Sequence, residues 1–315
     1  MGAPAGAERT GLRPHVALLA VQLFFGTWPI VGKVVLRSLP TTGLVAFRVL
    51  GASLAFLALS RSAKSLALSR RSDYLRLALY SLLGVVLNQF LFVKGLSLST
   101  VINANLLGTM IPVFTLVGSV ALGRERFSVP VAAGLLVAAC GALYLVNPLG
   151  ADISQSTTAG NLLLLSSGFL YGMYIVLSQD IIRRYGALTV ITWVFLMASV
   201  VVVPFGGYQL RDVPLASLGL PVWLAILYII IVPTVGAYYL NAWALGRVAP
   251  SVVAVYIYLQ PLIALALAPV LLGEHASTRT WVAAALIFAG VGIVTIARRG
   301  RVIEEVSERP DALGR

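Results

Sequence analysis

Long apolar runs take up most of this chain and restrict its possible folds. Each run is close to the roughly 20 residues that a helix needs to cross a bilayer. Hydrophobic residues make up 59% of the 315 residues, and charged residues make up only 11%. Within lipid only helices and closed barrels satisfy their backbone hydrogen bonds, and these runs are too long for barrel strands. The sequence therefore predicts an all-α integral membrane protein with ten transmembrane helices. The predicted spans are residues 15–36, 41–60, 74–95, 97–122, 128–146, 160–179, 188–208, 220–245, 250–272 and 278–297.

The net charge of +12 follows the predicted topology. With the amino terminus in the cytoplasm, most of the 23 Lys and Arg residues fall on the cytoplasmic side, as the positive-inside rule requires. The first apolar run lacks a small-residue cleavage site, so we expect it to remain as the first span. The prediction is a multi-pass protein of the inner (plasma) membrane with both termini in the cytoplasm. The basic residues then indicate orientation and contact with anionic lipid, and no nucleic acid is expected as a partner. The cations expected on the outer side are Lys33, Arg37, Lys94, Arg211 and Arg279.

The chain also repeats itself at an offset of 149 residues. In each half a proline in the fourth span is followed by a turn with glycine and glutamate, and then by an apolar span that contains a matched glycine. Each half has five spans, and an odd number means that the second half enters the membrane from the opposite side. We therefore predict two inverted repeats around a central cavity. The matched features are Pro112 and Pro261, Glu125 and Glu274, and Gly141 and Gly290.

The loop between the halves is rich in turn formers and has no basic residue. The predicted organisation is a cytoplasmic tail (1–14), a first repeat (15–147), an extracytoplasmic linker (148–159), a second repeat (160–297) and a second cytoplasmic tail (298–315). The polar composition of the last residues predicts disorder after Arg301.

These features resemble the drug/metabolite transporter superfamily in its EamA-type branch. The resemblance rests on the proline and glutamate motifs at matched places in both halves, on Phe-Gly-Thr-Trp-Pro at 25–29, and on Ala46-Phe47-Arg48. Within that branch the chain looks most like YddG-type exporters of aromatic and other neutral amino acids. The resemblance implies alternating access and an outward direction of transport. The second half departs from the first at Arg48, because its counterpart at an offset of 146 is Val194.

Polar and aromatic side chains in the middle of spans are the candidate substrate contacts. Burying such groups in lipid is costly, so they favour an internal cavity. The alternative is that aromatic residues form the interfacial belts and that amides bridge helices. An aromatic, uncharged cavity with amides suits a medium-sized substrate with an apolar side chain and a zwitterionic head. The candidate substrate-binding residues are Trp28, Tyr80, Asn88, Asn105, Tyr171, Tyr174, Tyr239, Tyr256 and Gln260.

Charged residues and prolines have separate candidate roles. Arg48 could attract a substrate carboxylate, or it could reach water or hold helix carbonyls. Glu125 and Glu274 could be gating or coupling acids, or turn residues that pair with Arg124 or Arg126 or lie near a helix N-terminus. Pro112 and Pro261 each remove a helical hydrogen bond and are candidate hinges for alternating access.

No catalytic, metal-binding or nucleotide-binding motif occurs, so we expect no enzyme activity and no cofactor. The expected partners are a small-molecule substrate and membrane lipid, with no obligatory protein partner. No carboxylate lies mid-span, which favours facilitated diffusion or coupling without a central acid. The leading hypothesis is an exporter of neutral or aromatic amino acids or related metabolites. The alternatives are a drug or other-metabolite exporter of the same fold, and a membrane receptor or assembly subunit without transport.

Overall fold

The computed structural model describes residues 12–62, 66–123, 129–146, 156–248, 253 and 256–308, and regular structure there is entirely helical. Seven helical segments are long and apolar enough to cross a membrane, and three shorter apolar helices accompany them. The prediction of an all-α protein is confirmed. The helices are α1 (Leu12–Val35), α2 (Thr41–Ser62), α3 (Arg71–Ser81), α4 (Asn88–Leu98), α5 (Val101–Gly108), α6 (Ile111–Ala121), α7 (Val129–Val146), α8 (Ser156–Tyr185), α9 (Ala187–Leu210), α10 (Leu220–Ile229), α11 (Ala237–Leu245), α12 (Leu259–Leu272) and α13 (Thr278–Glu308).

The helices run alternately between two faces of the bundle. We call the end where α1 begins the amino-terminal face and the end where α1 finishes the opposite face. At the amino-terminal face, Asp73 near the start of α3 accepts hydrogen bonds from Arg184 (3.0 Å) and Tyr185 (2.7 Å) at the end of α8. At the opposite face, Lys33 near the end of α1 donates to the Leu96 carbonyl near the end of α4 (2.8 Å). Consecutive spans are therefore antiparallel.

The packing of α7 against α13 shows the two-fold relation between the halves. A Cβ atom at Gly141 would lie 2.9 Å from the Ile287 nitrogen, and one at Gly290 would lie 2.4 Å from the Ala138 nitrogen. Both glycines and both of their neighbours are matched at the offset of 149. Each helix thus presents the same surface to the other, in antiparallel directions, as an inverted repeat requires.

A second pair of contacts obeys the same relation. Gly26 in the first span faces Ile263 in the ninth, where a Cβ atom would come within 2.8 Å of that side chain. Its counterpart Gly172 in the sixth span faces Phe114 in the fourth, with a Cβ position 3.0 Å from the Phe114 Cβ. Small residues let the helix backbones approach closely, which is the usual means of packing helices in a membrane.

The fourth and ninth spans are interrupted just before their matched prolines. The fourth breaks at Thr109 between α5 and α6, and Pro112 occupies the first turn of α6. The ninth turns at Ile257 before α12, which contains Pro261 in its first turn. Proline lacks the N–H that a continuous helix would need, and it is well accommodated at a helix start. Matched prolines therefore mark matched breaks, and their role as moving hinges stays a prediction.

The third and eighth spans each contain a π-helical turn. The turns cover Leu82–Leu87 before α4 and Ile230–Gly236 before α11, so they overlap at the offset of 149. A π turn holds an extra residue, and it changes which face the following side chains occupy. This shift decides which residues reach the centre of the bundle.

The carboxyl-terminal helix is longer than the sequence predicted. Disorder after Arg301 was predicted, whereas α13 continues to Glu308. Polar composition was a misleading guide, because glutamate and arginine are good helix formers and a helix already formed can be extended at little cost.

Candidate functional site

A cavity of about 90 Å³ lies at the centre of the bundle between the two halves. Aromatic and amide residues make up half of its lining, and among the described residues it contains one cation and no carboxylate. Ligand pockets usually measure roughly 300–1,000 Å³. The helices must therefore separate before a molecule the size of an aromatic amino acid can enter. The polar and aromatic lining residues are Gln22, Phe25, Trp28, Arg48, Asn88, Gln89, Phe92, Asn105, Ser167, Tyr171, Tyr238, Asn241 and Gln260.

Amide side chains connect the helices that surround the cavity. Gln260, next to the break in the ninth span, donates to the Gln22 amide oxygen of α1 at 2.7 Å. Asn88, at the start of α4, donates to both the carbonyl and the hydroxyl of Ser167 in α8, each at 3.0 Å. Asn241 in α11 lies 3.4 Å from the Tyr171 hydroxyl. These side chains join first to ninth, third to sixth and sixth to eighth spans, so separating the spans would change the cavity lining.

The cation of the cavity is Arg48 in α2, which is only 3% exposed. Its guanidinium carbon lies 3.9 Å from the centroid of the Trp28 ring, and that ring stacks on Phe92 at 6.2 Å. The Arg48 Nε donates to the Thr234 hydroxyl at 3.1 Å, and this hydroxyl donates to the Ile229 carbonyl at 2.6 Å. The second π turn thus supplies the acceptor that holds the arginine at the cavity wall.

The structure brings six of the predicted site residues together around this cavity. Five come from the predicted substrate contacts, and Arg48 is the sixth. They lie on the first, second, third, fourth, sixth and ninth spans, which belong to both halves. The five predicted contacts at the cavity are Trp28, Asn88, Asn105, Tyr171 and Gln260.

Tyr80 and Tyr174 lie away from the cavity. In a regular α-helix Tyr80 would share one face with Asn88, eight residues further on, but the π turn at Leu82–Leu87 lies between them and changes that relation. Tyr80 is buried in the apolar core. The Tyr174 ring packs on Gly84, where a Cβ atom would lie 2.6 Å from the ring, and it supports Tyr171 from behind at 5.8 Å.

Tyr239 and Tyr256 are also outside the cavity lining. Tyr239 is 36% exposed and lines a shallow depression on the outer surface with Trp243. Tyr256 lies towards the amino-terminal face, where its hydroxyl is 2.7 Å from the His15 Nδ1. Tyr256 therefore joins the first and ninth spans beside the cavity.

Sequence reasoning did not select Phe25 and Gln89, and it left Tyr238 and Asn241 outside the candidate set. Gln89 is 1% exposed and follows the first π turn, so the same rotation that removes Tyr80 brings Gln89 to the cavity. The eighth span behaves alike, because Tyr238 and Asn241 follow the second π turn. The sequence does carry one indication of the two π turns. Gly84 and Pro233, which both disfavour a regular helix, occupy matched positions in the third and eighth spans.

The predicted acids do not reach the cavity where the structure describes them. Glu274 lies at the opposite face, and its carboxylate accepts a hydrogen bond of 2.7 Å from the Val101 N–H at the start of α5. This agrees with the interpretation as a turn residue near a helix N-terminus. Glu125 lies outside the described residues.

A polar network near Glu274 connects several spans at the opposite face. Lys33 donates to the carbonyls of Leu96 and Ser99. The Ser99 hydroxyl donates to Asn161 in α8, and the Asn161 amide reaches the Leu145 carbonyl of α7 at 3.4 Å. The network connects ends of the first, third, fifth and sixth spans.

Comparison with known proteins agrees with this architecture. The EamA-like transporter family model matches residues 12–147 and again residues 158–296. An uncharacterized transporter of Archaeoglobus fulgidus is 26% identical, covering 90% of this chain and 97% of that protein. The uncharacterized transporter YetK of Bacillus subtilis is 23% identical, with coverage of 90% and 87%. A WAT1-related protein of Arabidopsis thaliana is 26% identical, with coverage of 95% and 86%. A crystal structure that is 19% identical superposes with a TM-score of 0.65 and shares the fold.

Proposed function

The chain belongs to the EamA-like transporter family, and we propose that it exports neutral or aromatic amino acids, or related small metabolites, from the cytoplasm by alternating access. The observation that carries the proposal is the central cavity between the two halves, with aromatic rings, amides and one arginine in its wall. The rings suit an apolar side chain, and the amides with Arg48 suit a polar head.

The matched breaks support alternating access. Gln260 and Asn105 lie beside the interruptions of the ninth and fourth spans, so a change of angle at either break moves a cavity residue. At the opposite face, hydrogen bonds of Lys33 and Asn161 hold the ends of several spans together. Under the positive-inside rule the amino-terminal face is cytoplasmic, so alternating access would separate these spans when the cavity opens to the outside medium.

We propose that transport is facilitated diffusion, driven by the substrate gradient without a coupled ion. Two buried or partly buried acids have partners away from the cavity. Asp73 pairs with Arg184 and Tyr185 at the amino-terminal face, and Glu274 accepts a hydrogen bond from the Val101 N–H at the opposite face. Neither lines the cavity, so a proton or sodium ion finds no carboxylate there in the described residues.

Counterflow in proteoliposomes tests the proposal. Vesicles preloaded with unlabelled phenylalanine, with no ion gradient, should accumulate labelled phenylalanine transiently. Transport that begins only after a proton or sodium gradient is imposed would contradict facilitated diffusion but not the substrate. Flux of other compounds alone would favour the drug or other-metabolite exporter. No flux of any compound by folded protein would favour a receptor or assembly subunit.

A further inference from the structure

The wall of the central cavity carries the positive charge of Arg48, and no carboxylate among the described lining residues neutralises it. Arg48 borders the cavity, and its side chain is held by the Trp28 ring and the Thr234 hydroxyl, which are both uncharged. Asp73 binds Arg184 and Glu274 accepts from a backbone N–H, both at the bundle faces, and Asp212 pairs with Arg211 on the exposed surface, so none of these three acids lies at the cation. A buried cation without an anion is costly in a membrane interior, although stacking on tryptophan offsets part of that cost.

Two buried amides of the same cavity lining have hydrogen-bonding atoms without partners among the described residues. The Asn105 amide nitrogen donates to the Val101 carbonyl at 3.0 Å, whereas its oxygen, in a residue 2% exposed, has no partner among the described residues. Gln89 is 1% exposed and lies beside the Tyr238 hydroxyl. Neither of its amide atoms makes a hydrogen bond of good geometry with a described residue. Buried polar atoms without partners destabilise a fold, so such atoms in residues of a cavity wall point to a polar ligand or water there.

From this arrangement we infer that the substrate must carry a carboxylate, which binds the terminal nitrogens of Arg48, and that an ammonium group on the substrate is dispensable. The inference rests on the proposed transport function and narrows its substrate class to monocarboxylates with an aromatic or other apolar body. Guanidinium and carboxylate form paired hydrogen bonds that neutralise both charges. An ammonium group would meet only neutral groups, because the described lining contains no carboxylate. The apolar body then lies along Phe25 and Phe92.

Three ligands with the same phenyl body separate the two charged groups. 3-Phenylpropionate has the carboxylate alone, phenylalanine has both groups, and phenethylamine has the ammonium alone. We expect the first two to bind the full chain in detergent with affinities within a few-fold of each other, as measured by isothermal titration calorimetry. Phenethylamine should bind at least about tenfold more weakly, since a hydrogen bond to a charged group contributes about 1.5–3 kcal/mol.

Variants of the arginine show whether this side chain is responsible. Arg48→Gln should reduce the affinity for 3-phenylpropionate at least about tenfold and leave that for phenethylamine unchanged or higher. Arg48→Lys keeps the charge and should preserve the order of the three ligands at lower affinity. Arg247→Gln is the matched control, because Arg247 stacks on Trp243 at 4.0 Å but is exposed and outside the cavity. It should bind all three ligands like the wild type.

The outcomes distinguish this inference from the proposed function. If phenethylamine binds as tightly as 3-phenylpropionate, or if folded Arg48→Gln keeps full affinity for the carboxylate, the inference is wrong. Binding and counterflow of phenylalanine without binding of 3-phenylpropionate would also overturn it and leave amino-acid transport standing. Binding of 3-phenylpropionate without phenylalanine flux would support the carboxylate site and contradict amino-acid export. If Arg48→Gln does not fold, the wild type and Arg48→Lys decide the question.

Discussion

Replacing Gly290 by alanine should destabilise the bundle through the contact between α7 and α13. The added Cβ atom would lie 2.4 Å from the Ala138 nitrogen and 2.5 Å from the Gly134 oxygen. Both neighbours are backbone atoms, so no side-chain rotation relieves the overlap, and the helices must separate by about 1 Å to reach a normal contact of about 3.5 Å. Overpacking of this kind costs about 1–3 kcal/mol, and the upper end is expected because a whole helix must move.

The measurement is the apparent unfolding temperature of purified protein in detergent, followed by tryptophan fluorescence. Gly290→Ala should lower this temperature by several degrees. The control is Gly292→Ala two residues along the same helix, where a Cβ atom meets nothing within 4 Å. That variant should be neutral or slightly stabilising, because alanine is favoured over glycine in a helix by about 1 kcal/mol. Equal unfolding temperatures for the two variants would refute the proposed close packing of the repeats.

Three further predictions concern the cavity, a helix start and a break. Trp28→Leu removes the stacking on Arg48, worth about 0.5–2 kcal/mol, and should weaken substrate affinity in calorimetry, whereas Trp281→Leu at the exposed surface should not. Glu274→Ala should lower stability by about 0.5–2 kcal/mol in thermal unfolding through loss of the Val101 hydrogen bond, with substrate affinity retained; lost affinity would instead place Glu274 in the transport machinery. Pro261→Ala should slow proteoliposome counterflow by straightening the ninth span, and an unchanged rate would count against a hinge.

The all-α fold and the relation between its halves could be predicted from sequence because they depend on patterns that local physics determines. Span length follows bilayer thickness, and an odd number of spans per repeat makes the repeats antiparallel. Gly141 and Gly290 were recognisable only as matched positions of the repeat, and the structure shows that each packs against the other helix. Orientation in the membrane rests on charge counting and stays a prediction.

The site was less predictable, because side-chain direction depends on small departures from helical geometry. The two π turns carry no strong sequence signal, yet they remove Tyr80 from the cavity and bring in Gln89 and Tyr238. Tyr256 shows a second limit, since its partner His15 is 241 residues away in the chain. A local sequence pattern does not predict a contact between residues so far apart in the chain.

The central claim is that substrate passes through the cavity between the repeats, and blocking the cavity tests it most directly. Gly108 lines the cavity, and a Cβ atom there meets only the Gln260 amide oxygen, at 3.7 Å. Gly108→Leu therefore adds four carbon atoms to a space of about 90 Å³ without a backbone clash. Counterflow of labelled phenylalanine should fall to background in folded Gly108→Leu and remain at the wild-type level in Gly207→Leu, which meets nothing within 4 Å and lies on the outer surface. Wild-type flux in folded Gly108→Leu would contradict the claim.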